Sequence, residues 1–283
     1  KNILLSKKEP VSVVHFVTNR CNARCSFCFI DFDNENIFKQ ELTLSEINKL
    51  TKNLGGSIVN VNFTGGEPFA RKDLVDIARA YCNNTTIQSI YITTNGSLPK
   101  RVKEFAETIT NEYPEITLSI SISIDDLEDN HNRIRKIQGL FQNCIKTYNY
   151  IRAIKNVVPI IAITVSDANY RNVQSLYSSL IKNYGIKAIK AVLVRDEGVY
   201  KTPSKEKVNI LNSYNWLTNK IIEDCNNKIL DNYDQSSTQG RLHFKKDRLL
   251  YKYVSKYYLK PFYQSPCPAG RLFGIIDAKG KVF

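Results

Sequence analysis

The sequence contains no methionine, only three histidines and no apolar run near the roughly twenty residues that a membrane-spanning helix needs. The missing apolar run argues against a membrane protein, and the N-terminal stretch lacks the small-residue cleavage site of a signal peptide. We therefore expect a cytoplasmic protein with no membrane partner. The absence of methionine predicts either an internal fragment or a sequence from which modified methionines are missing.

The cysteine count and the distribution of charge narrow the possible classes of protein and of partner further. Seven cysteines are an odd number, and their clustering suits a metal site better than the disulfide framework of a small secreted domain. The net charge of +13 is spread along the chain rather than gathered in one arm, which argues against nucleic acid as the partner. An acidic peptide, a phosphorylated substrate or an electron-donor protein with an acidic face would suit such a surface equally well.

Apolar β-type segments alternate with helical patterns through the first two thirds of the chain, which predicts parallel βα units. The predicted strands are residues 11–17, 57–63, 89–94, 116–124, 157–165 and 186–194. The predicted helices between them are residues 44–54, 72–81, 100–110, 140–154 and 172–184. Six such units predict an α/β fold with a partial (β/α)6 TIM-like barrel, short of the eight units that close a full barrel.

The alternation stops near residue 200, which divides the chain into a predicted core domain, residues 1–200, and an extension, residues 201–283. Helical patterns at residues 215–230 and 248–259 open the extension, and a short β pattern ends it. We expect a helical linker that leads into a further small region.

Unusual residues follow four of the predicted strands. "CNARCSFCF" comes after the first, "TGGEP" (64–68) after the second, "NGS" after the third, and "SID" (123–125) closes the fourth. Because the carboxyl ends of parallel strands share one rim, and working residues of such folds lie there, these segments predict a single site.

The three clustered cysteines, Cys21, Cys25 and Cys28, could bind one soft metal ion or one iron–sulfur cluster. A structural zinc ion would require a fourth protein ligand, and no further Cys or His lies beside the group. A 4Fe–4S cluster with one open iron needs only three thiolates. A non-catalytic zinc or iron–sulfur module that binds a partner remains the alternative from another class.

The spacing C-x3-C-x2-C with Phe27 before the last cysteine resembles the signature of the radical S-adenosylmethionine (radical SAM) superfamily. With "GGEP", "NG" and "S-x-D" in the same order, the resemblance covers about residues 11–195. It implies that the three cysteines bind three irons and that S-adenosylmethionine chelates the fourth. The residues that it places around S-adenosylmethionine are Phe27, Gly65, Gly66, Glu67, Pro68, Thr94, Asn95, Ser123, Asp125, Arg135 and Val165.

Each implied role has a chemical reason. Glycines leave the backbone of residues 65–67 free to approach the cofactor ammonium. Ser123 and Asp125 lie two apart on a strand and so face the same side, where they could meet the ribose hydroxyls. Arg135 would pair with the cofactor carboxylate, unless it belongs to a solvated charge run, and Val165 would line the adenine, unless it is simple core.

Near the C-terminus, "CPAGRLFGIIDAKGKVF" resembles the opening of the SPASM or twitch extension of a large branch of the superfamily. The resemblance implies an auxiliary iron–sulfur cluster with Cys267 as one ligand. A further cysteine normally follows the glycine of this pattern, and the chain ends at Phe283 before one occurs. The auxiliary region is therefore predicted to be truncated.

The resemblance implies an oxidoreductase-type enzyme that cleaves S-adenosylmethionine reductively and abstracts a hydrogen atom from a substrate. Members of this branch often modify peptides or proteins, which makes a peptide the first expectation. A dehydrogenase or rearrangement enzyme acting on a sugar or nucleotide is the alternative. A flavodoxin or a ferredoxin is the expected electron donor.

Overall fold

Seven strands form one parallel sheet in the order β6-β5-β4-β3-β2-β1-β7. The computed structural model describes residues 10–195, 204–262, 270 and 272–283. The strands are β1 (Ser12–Thr18), β2 (Asn60–Gly65), β3 (Ser89–Thr94), β4 (Thr117–Ser123), β5 (Val157–Val165), β6 (Ile189–Leu193) and β7 (Phe273–Ile276). β6 and β7 are the two edges, so the sheet is open, as the predicted partial barrel requires.

Eight α-helices accompany the sheet within the described residues. They are α1 (Leu44–Leu54), α2 (Leu74–Asn84), α3 (Pro99–Glu112), α4 (Glu128–Arg135), α5 (Leu140–Ile151), α6 (Val173–Lys182), α7 (Lys207–Asn226) and α8 (Thr238–Leu259). Capping side chains explain where two of the helices begin. The side chain of Thr43 caps α1 in a reciprocal capping box with Glu46, and Ser237 caps α8.

The two faces of the sheet differ in polarity. One face carries large aliphatic side chains, such as Ile90, Leu118 and Ile120, which are fully buried in the core shared with the helices. The other face is more polar, although it also carries Val14 and Tyr91. Near the amino ends of the strands its polar side chains bond to one another, since Ser12 Oγ donates to Asn60 Oδ1 at 3.0 Å. This more polar face is the interior of the partial barrel, and it continues along the strands to the rim at their carboxyl ends.

The structure also shows features that the sequence pattern did not predict. The predicted C-terminal β pattern forms β7, but its place in the sheet was not predicted: it becomes a seventh strand by pairing with β1, a partner far away in sequence, which no local pattern reveals. α4 has eight residues and few apolar ones, so it carries no helical periodicity to detect. α7 and α8 begin several residues before the predicted starts.

The region after residue 203 packs onto the sheet rather than away from it. α7 contacts β6, α8 contacts α7, and β7 lies beside β1. The division into residues 1–200 and 201–283 stays a prediction. Among the described residues, no helix combines the length and the apolar character of a membrane span.

Candidate functional site

The three clustered cysteines lie in the loop that follows β1, and all three are half-buried free thiols. The loop folds tightly around them: Cys28 N donates to Cys25 O at 3.2 Å, and Ala23 N lies 3.4 Å from Cys21 Sγ. Ile30 N lies 3.5 Å from Cys28 Sγ. Backbone N–H groups directed at sulfur favour a thiolate, the form that binds iron.

The "GG" of the turn after β2 packs directly on the cysteine loop. Gly66 N donates to Thr18 O at 2.7 Å, and Glu67 N donates to Arg20 O at 2.8 Å. A Cβ at Gly65 would lie 2.1 Å from Thr18 O at the end of β1, and one at Gly66 would lie 2.1 Å from Arg20 O in the loop; Gly65 also has a φ of +125°. The two glycines are thus required where two backbones meet, in addition to any role they have toward a cofactor.

The carboxylate of Glu67 is buried and joins two strand ends. It accepts hydrogen bonds from Thr94 Oγ1 and Asn95 N, both at 2.7 Å, and from Phe69 N at 3.1 Å. Burial raises the pKa of Glu67, and these hydrogen bonds oppose that shift. The side chain is fully used inside the protein, which leaves the backbone of Glu67 as the part that could face a ligand.

Asn95 connects the end of β3 to the cysteine loop. Its Nδ2 donates to Asn22 Oδ1 at 2.8 Å and lies 3.9 Å from Cys21 Sγ. Asn22 Nδ2 in turn donates to Ser97 Oγ at 2.9 Å. Asn22 and Ser97 were not predicted as site residues, although both belong to the segments "CNARC" and "NGS" that the sequence singled out.

A buried ion pair lies behind the loop. Arg135 Nε donates to Asp125 Oδ2 at 2.8 Å, and Asp125 Oδ1 accepts from Thr164 N at 3.0 Å. The backbone oxygen of Arg135 accepts a hydrogen bond from Arg24 N at 3.1 Å. The guanidinium carbon of Arg135 lies 5.8 Å from the centre of the Phe27 ring. α4 therefore places a positive charge directly beside the cysteine loop.

His131, one turn before Arg135 on α4, holds the backbone of Asp125. Asp125 N donates to His131 Nδ1 at 3.1 Å, and Cys144 Sγ lies 3.8 Å from His131 Nε2. Burial lowers the pKa of His131 to about 4, so the ring is neutral. Sequence reasoning missed His131; its spacing of four residues from Arg135, on one helix face, is the signal that could have found it.

These segments enclose a cavity of about 510 Å³. Its walls include the three cysteines, Phe27, Gly65, Gly66, Glu67, Thr94, Asn95, Ser123, Thr164, Arg135 and Arg195. On β5 the lining side chain is that of Thr164, whereas Val165 is buried in the core. Ser123 faces the cavity, and Asp125 lies fully buried behind it in its bonds to Arg135 and Thr164.

The structure therefore brings most of the predicted site residues to one rim. Pro68, also predicted, opens a short 3-10 helix just behind the glycine turn and is buried. Cys267, the predicted auxiliary ligand, lies outside the described residues. The roles assigned to individual residues toward S-adenosylmethionine stay predictions.

The protein environment disfavours ionisation of the three thiols in the absence of iron. Burial raises the pKa of Cys21 and Cys28, and it raises the pKa of Cys25 to about 11, while the nearby Arg135 opposes the rise. Iron binding must therefore displace thiol protons. Among the residues that the structure describes, no three His, Cys, Asp or Glu side chains converge as in a mononuclear metal site. A 4Fe–4S cluster needs no such convergence, because each thiolate binds a different iron.

Comparison with solved structures shows the fold. The chain matches Streptococcus suis SuiB bound to the precursor peptide SuiA with a TM-score of 0.64 and 16% identity, over 97% of this chain and 59% of SuiB. It matches native anSMEcpe with bound AdoMet with a TM-score of 0.61 and 17% identity, over 78% of this chain and 63% of that one.

Curated relatives share sequence with the same region. Fe-coproporphyrin III synthase of Methanosarcina barkeri is 30% identical over 176 residues, 61% of this chain and 41% of that protein. GTP 3′,8-cyclase of Clostridium perfringens is 31% identical over 173 residues, 59% of this chain and 50% of that protein. The chain thus spans about half the length of these relatives. Residues 16–178, more than half of the chain and including the whole cysteine loop, match the Radical SAM superfamily, and the protein belongs to that superfamily.

Proposed function

We propose that this protein is an enzyme that cleaves S-adenosylmethionine reductively and uses the product to remove a hydrogen atom from a substrate. The superfamily uses a 4Fe–4S cluster and S-adenosylmethionine. The observation that carries the proposal is the cavity that joins three half-buried thiols to the carboxyl ends of the strands. A purely structural metal module has no need for such a cavity beside its ligands.

The chain's own residues would bind and orient these groups. Cys21, Cys25 and Cys28 would hold the cluster. When bound, the cluster and S-adenosylmethionine supply the electron transfer and the radical chemistry. Arg135, fixed by Asp125, would offer a guanidinium to the cofactor carboxylate. Ser123 would offer a hydroxyl to the ribose, and Asp125 would act there through the groups that it positions.

A peptide is the substrate class that we propose first. The likeness to SuiB with its bound precursor peptide extends over nearly the whole chain and supports this choice. On this proposal the enzyme belongs to the SPASM or twitch branch, and Cys267 would bind an auxiliary cluster.

A nucleotide substrate is the second candidate. It is favoured by the similarity to GTP 3′,8-cyclase, which is 31% identical over 173 residues. Mass spectrometry separates the two classes. The reconstituted protein would be incubated with reductant, S-adenosylmethionine and either GTP or a pool of candidate peptides. A changed mass in one pool, with 5′-deoxyadenosine released above the substrate-free level, identifies the class; a change in the GTP pool alone contradicts the peptide proposal.

The primary test compares two cysteine variants after anaerobic reconstitution with iron and sulfide. The protein should bind about four irons per chain, or about eight if an auxiliary cluster is present, and release 5′-deoxyadenosine. Cys25→Ala should lose about four irons and all cofactor cleavage, because one cluster ligand is gone. Cys82→Ala, which alters a free thiol on α2, should keep both. Bound zinc with no cofactor cleavage, or full activity in Cys25→Ala, would contradict the proposal.

A further inference from the structure

The outer side of the cysteine loop borders a second cavity, of about 490 Å³, that shares no lining residue with the first. Ser26, which lies between two of the cysteines and is exposed, forms part of its wall. The rest of the wall comes from Asp126 between β4 and α4, from α4 and the residue that follows it, and from the connection between β5 and α6. The loop therefore has one side toward the candidate cofactor site and another toward this second cavity.

Exposed cations surround the second cavity. Arg133, Lys136 and Arg171 line it, and all three are exposed. Arg133 donates a hydrogen bond to the neutral amide of Asn130, and Arg171 lies over the ring of Tyr170 at 5.1 Å. Neither contact neutralises a charge, so both guanidinium groups keep their charge for a partner.

Two carboxylates also line the cavity, and both are already bonded within the protein. The carboxylate of Asp126 accepts hydrogen bonds from Leu127 N and Asn172 Nδ2, each at 2.8 Å. Asp167 accepts the backbone N–H groups of Lys205 and Glu206 at 3.1 and 3.0 Å. Their oxygens satisfy backbone and amide donors rather than the arginines. These hydrogen bonds leave both carboxylates charged, but Asp126 is buried and only Asp167 is exposed. The exposed lining therefore carries three cations against one carboxylate.

This position matters because the proposed chemistry needs one electron from outside for each cleavage. Transfer between two centres slows steeply with distance, so a donor should dock where the cluster ligands come nearest to the surface. Ser26 is an exposed residue of this loop, directly after Cys25 and two residues before Cys28. A donor on this side would also leave the first cavity open to substrate.

We propose that the basic rim, defined as Arg133, Lys136 and Arg171 around Ser26, is the docking surface for an acidic one-electron carrier protein. The inference rests on the proposed function. The carrier is oxidised by one electron, the cluster is reduced by one, and no bond forms or breaks. Electrostatic complementarity of this kind raises association rates by about 10- to 1,000-fold at low salt and suits brief encounters.

The test uses two charge-reversal pairs in the full chain, reconstituted with iron. Arg133→Glu with Arg171→Glu alters the rim. Lys52→Glu with Lys182→Glu is the matched control, because both lysines are exposed in the last turns of α1 and α6, which end at the opposite rim of the sheet. Both pairs change the net charge equally. Binding of oxidised flavodoxin, and separately of oxidised ferredoxin, is measured by titration, and cluster reduction by stopped-flow absorbance.

We expect the rim pair to weaken carrier binding at least about tenfold at low ionic strength, and the difference to shrink in about 0.5 M salt as screening increases. The control pair should stay within about twofold of the unaltered protein. Reduction by methyl viologen radical, a small cation, should not slow in either variant. The carrier that binds more tightly identifies the source of the electron.

Equal effects of the two pairs would overturn the proposal, since net charge alone would then explain them. Unchanged carrier binding in the rim pair, with native circular dichroism, would overturn it as well. Failure of the proposed function gives a different result: the unaltered protein would then bind no cluster and cleave no cofactor. The milder pair Arg133→Gln with Arg171→Gln replaces the first if that variant does not fold, and should show a smaller loss in the same direction.

Discussion

At the scale of single residues, two histidines are buried in the neutral form. His15 is a residue of β1 with its side chain buried in the core, where Tyr81 Oη lies 3.0 Å from its Nδ1 and its Nε2 has no partner among the described residues. His131 accepts the backbone N–H of Asp125 through Nδ1, which only an unprotonated Nδ1 can do. Burial lowers the pKa of His15 to about 3 and that of His131 to about 4.

These low pKa values predict a loss of stability in mild acid. Below about pH 6.5 the unfolded chain binds protons at both rings while the folded chain does not, so the free energy of unfolding falls as the pH falls toward the folded pKa values. Each ring should account for about 2 kcal/mol between pH 7 and pH 5. Urea unfolding at a series of pH values measures the slope.

A pair of histidine variants tests the assignment. His15→Gln should remove about half of this acid-dependent loss, since glutamine binds no proton and can still accept from Tyr81. His243→Gln, at an exposed position on α8, should leave the slope as it was. If the free energy of unfolding depends on pH identically in the unaltered protein and in His15→Gln, then His15 takes up no proton on unfolding in this pH range.

At the scale of elements, the turn after β2 and the loop after β1 form one unit. Gly66 N donates to Thr18 O at the end of β1, and Glu67 N donates to Arg20 O in the loop. The Glu67 carboxylate connects the same turn to the end of β3. The "GGEP" segment therefore helps to fix the conformation of the cysteine loop. A glycine-rich turn in a sequence does not reveal which backbone it packs against.

Gly66→Ala tests this contact. The added Cβ would lie 2.1 Å from Arg20 O, so the loop must move, and we expect cluster binding to fall at least about tenfold after reconstitution. Gly56→Ala is the matched control, because its Cβ would meet only Thr86 Cγ2 at 3.7 Å, an ordinary contact. Equal iron content in the two variants would contradict the proposed role of the turn.

At the scale of the whole molecule, the C-terminal segment contacts the segment that connects the cysteine loop to α1. β7 pairs with β1, and beyond it Ala278 O accepts Leu42 N at 2.8 Å. Lys279 Nζ donates to Asn36 O, also at 2.8 Å. The end of the described chain thus holds the segment that returns from the cysteine loop to α1.

Ile276→Asp should loosen this arrangement. Ile276 is 2% exposed, so a carboxylate there should lower the free energy of unfolding by about 3 kcal/mol or more and speed proteolysis within residues 35–42. Val282→Asp, at a side chain 65% exposed in the same hairpin, should change neither appreciably. Urea unfolding and limited proteolysis followed by mass spectrometry measure both effects. Slow cleavage in both variants would mean that the return segment is held by other contacts.

The sequence by itself determined the six βα units, the cysteine loop and the placement of the unusual segments on one rim. These follow from side-chain periodicity and from the order of motifs, and β3, β5 and α1 have the predicted bounds. Only the tertiary structure decided that β7 joins β1 and that Asp125 binds Arg135 beneath the cavity. Pairings between distant segments depend on which surfaces meet after folding, and a local pattern records that a residue is buried but not what it is buried against.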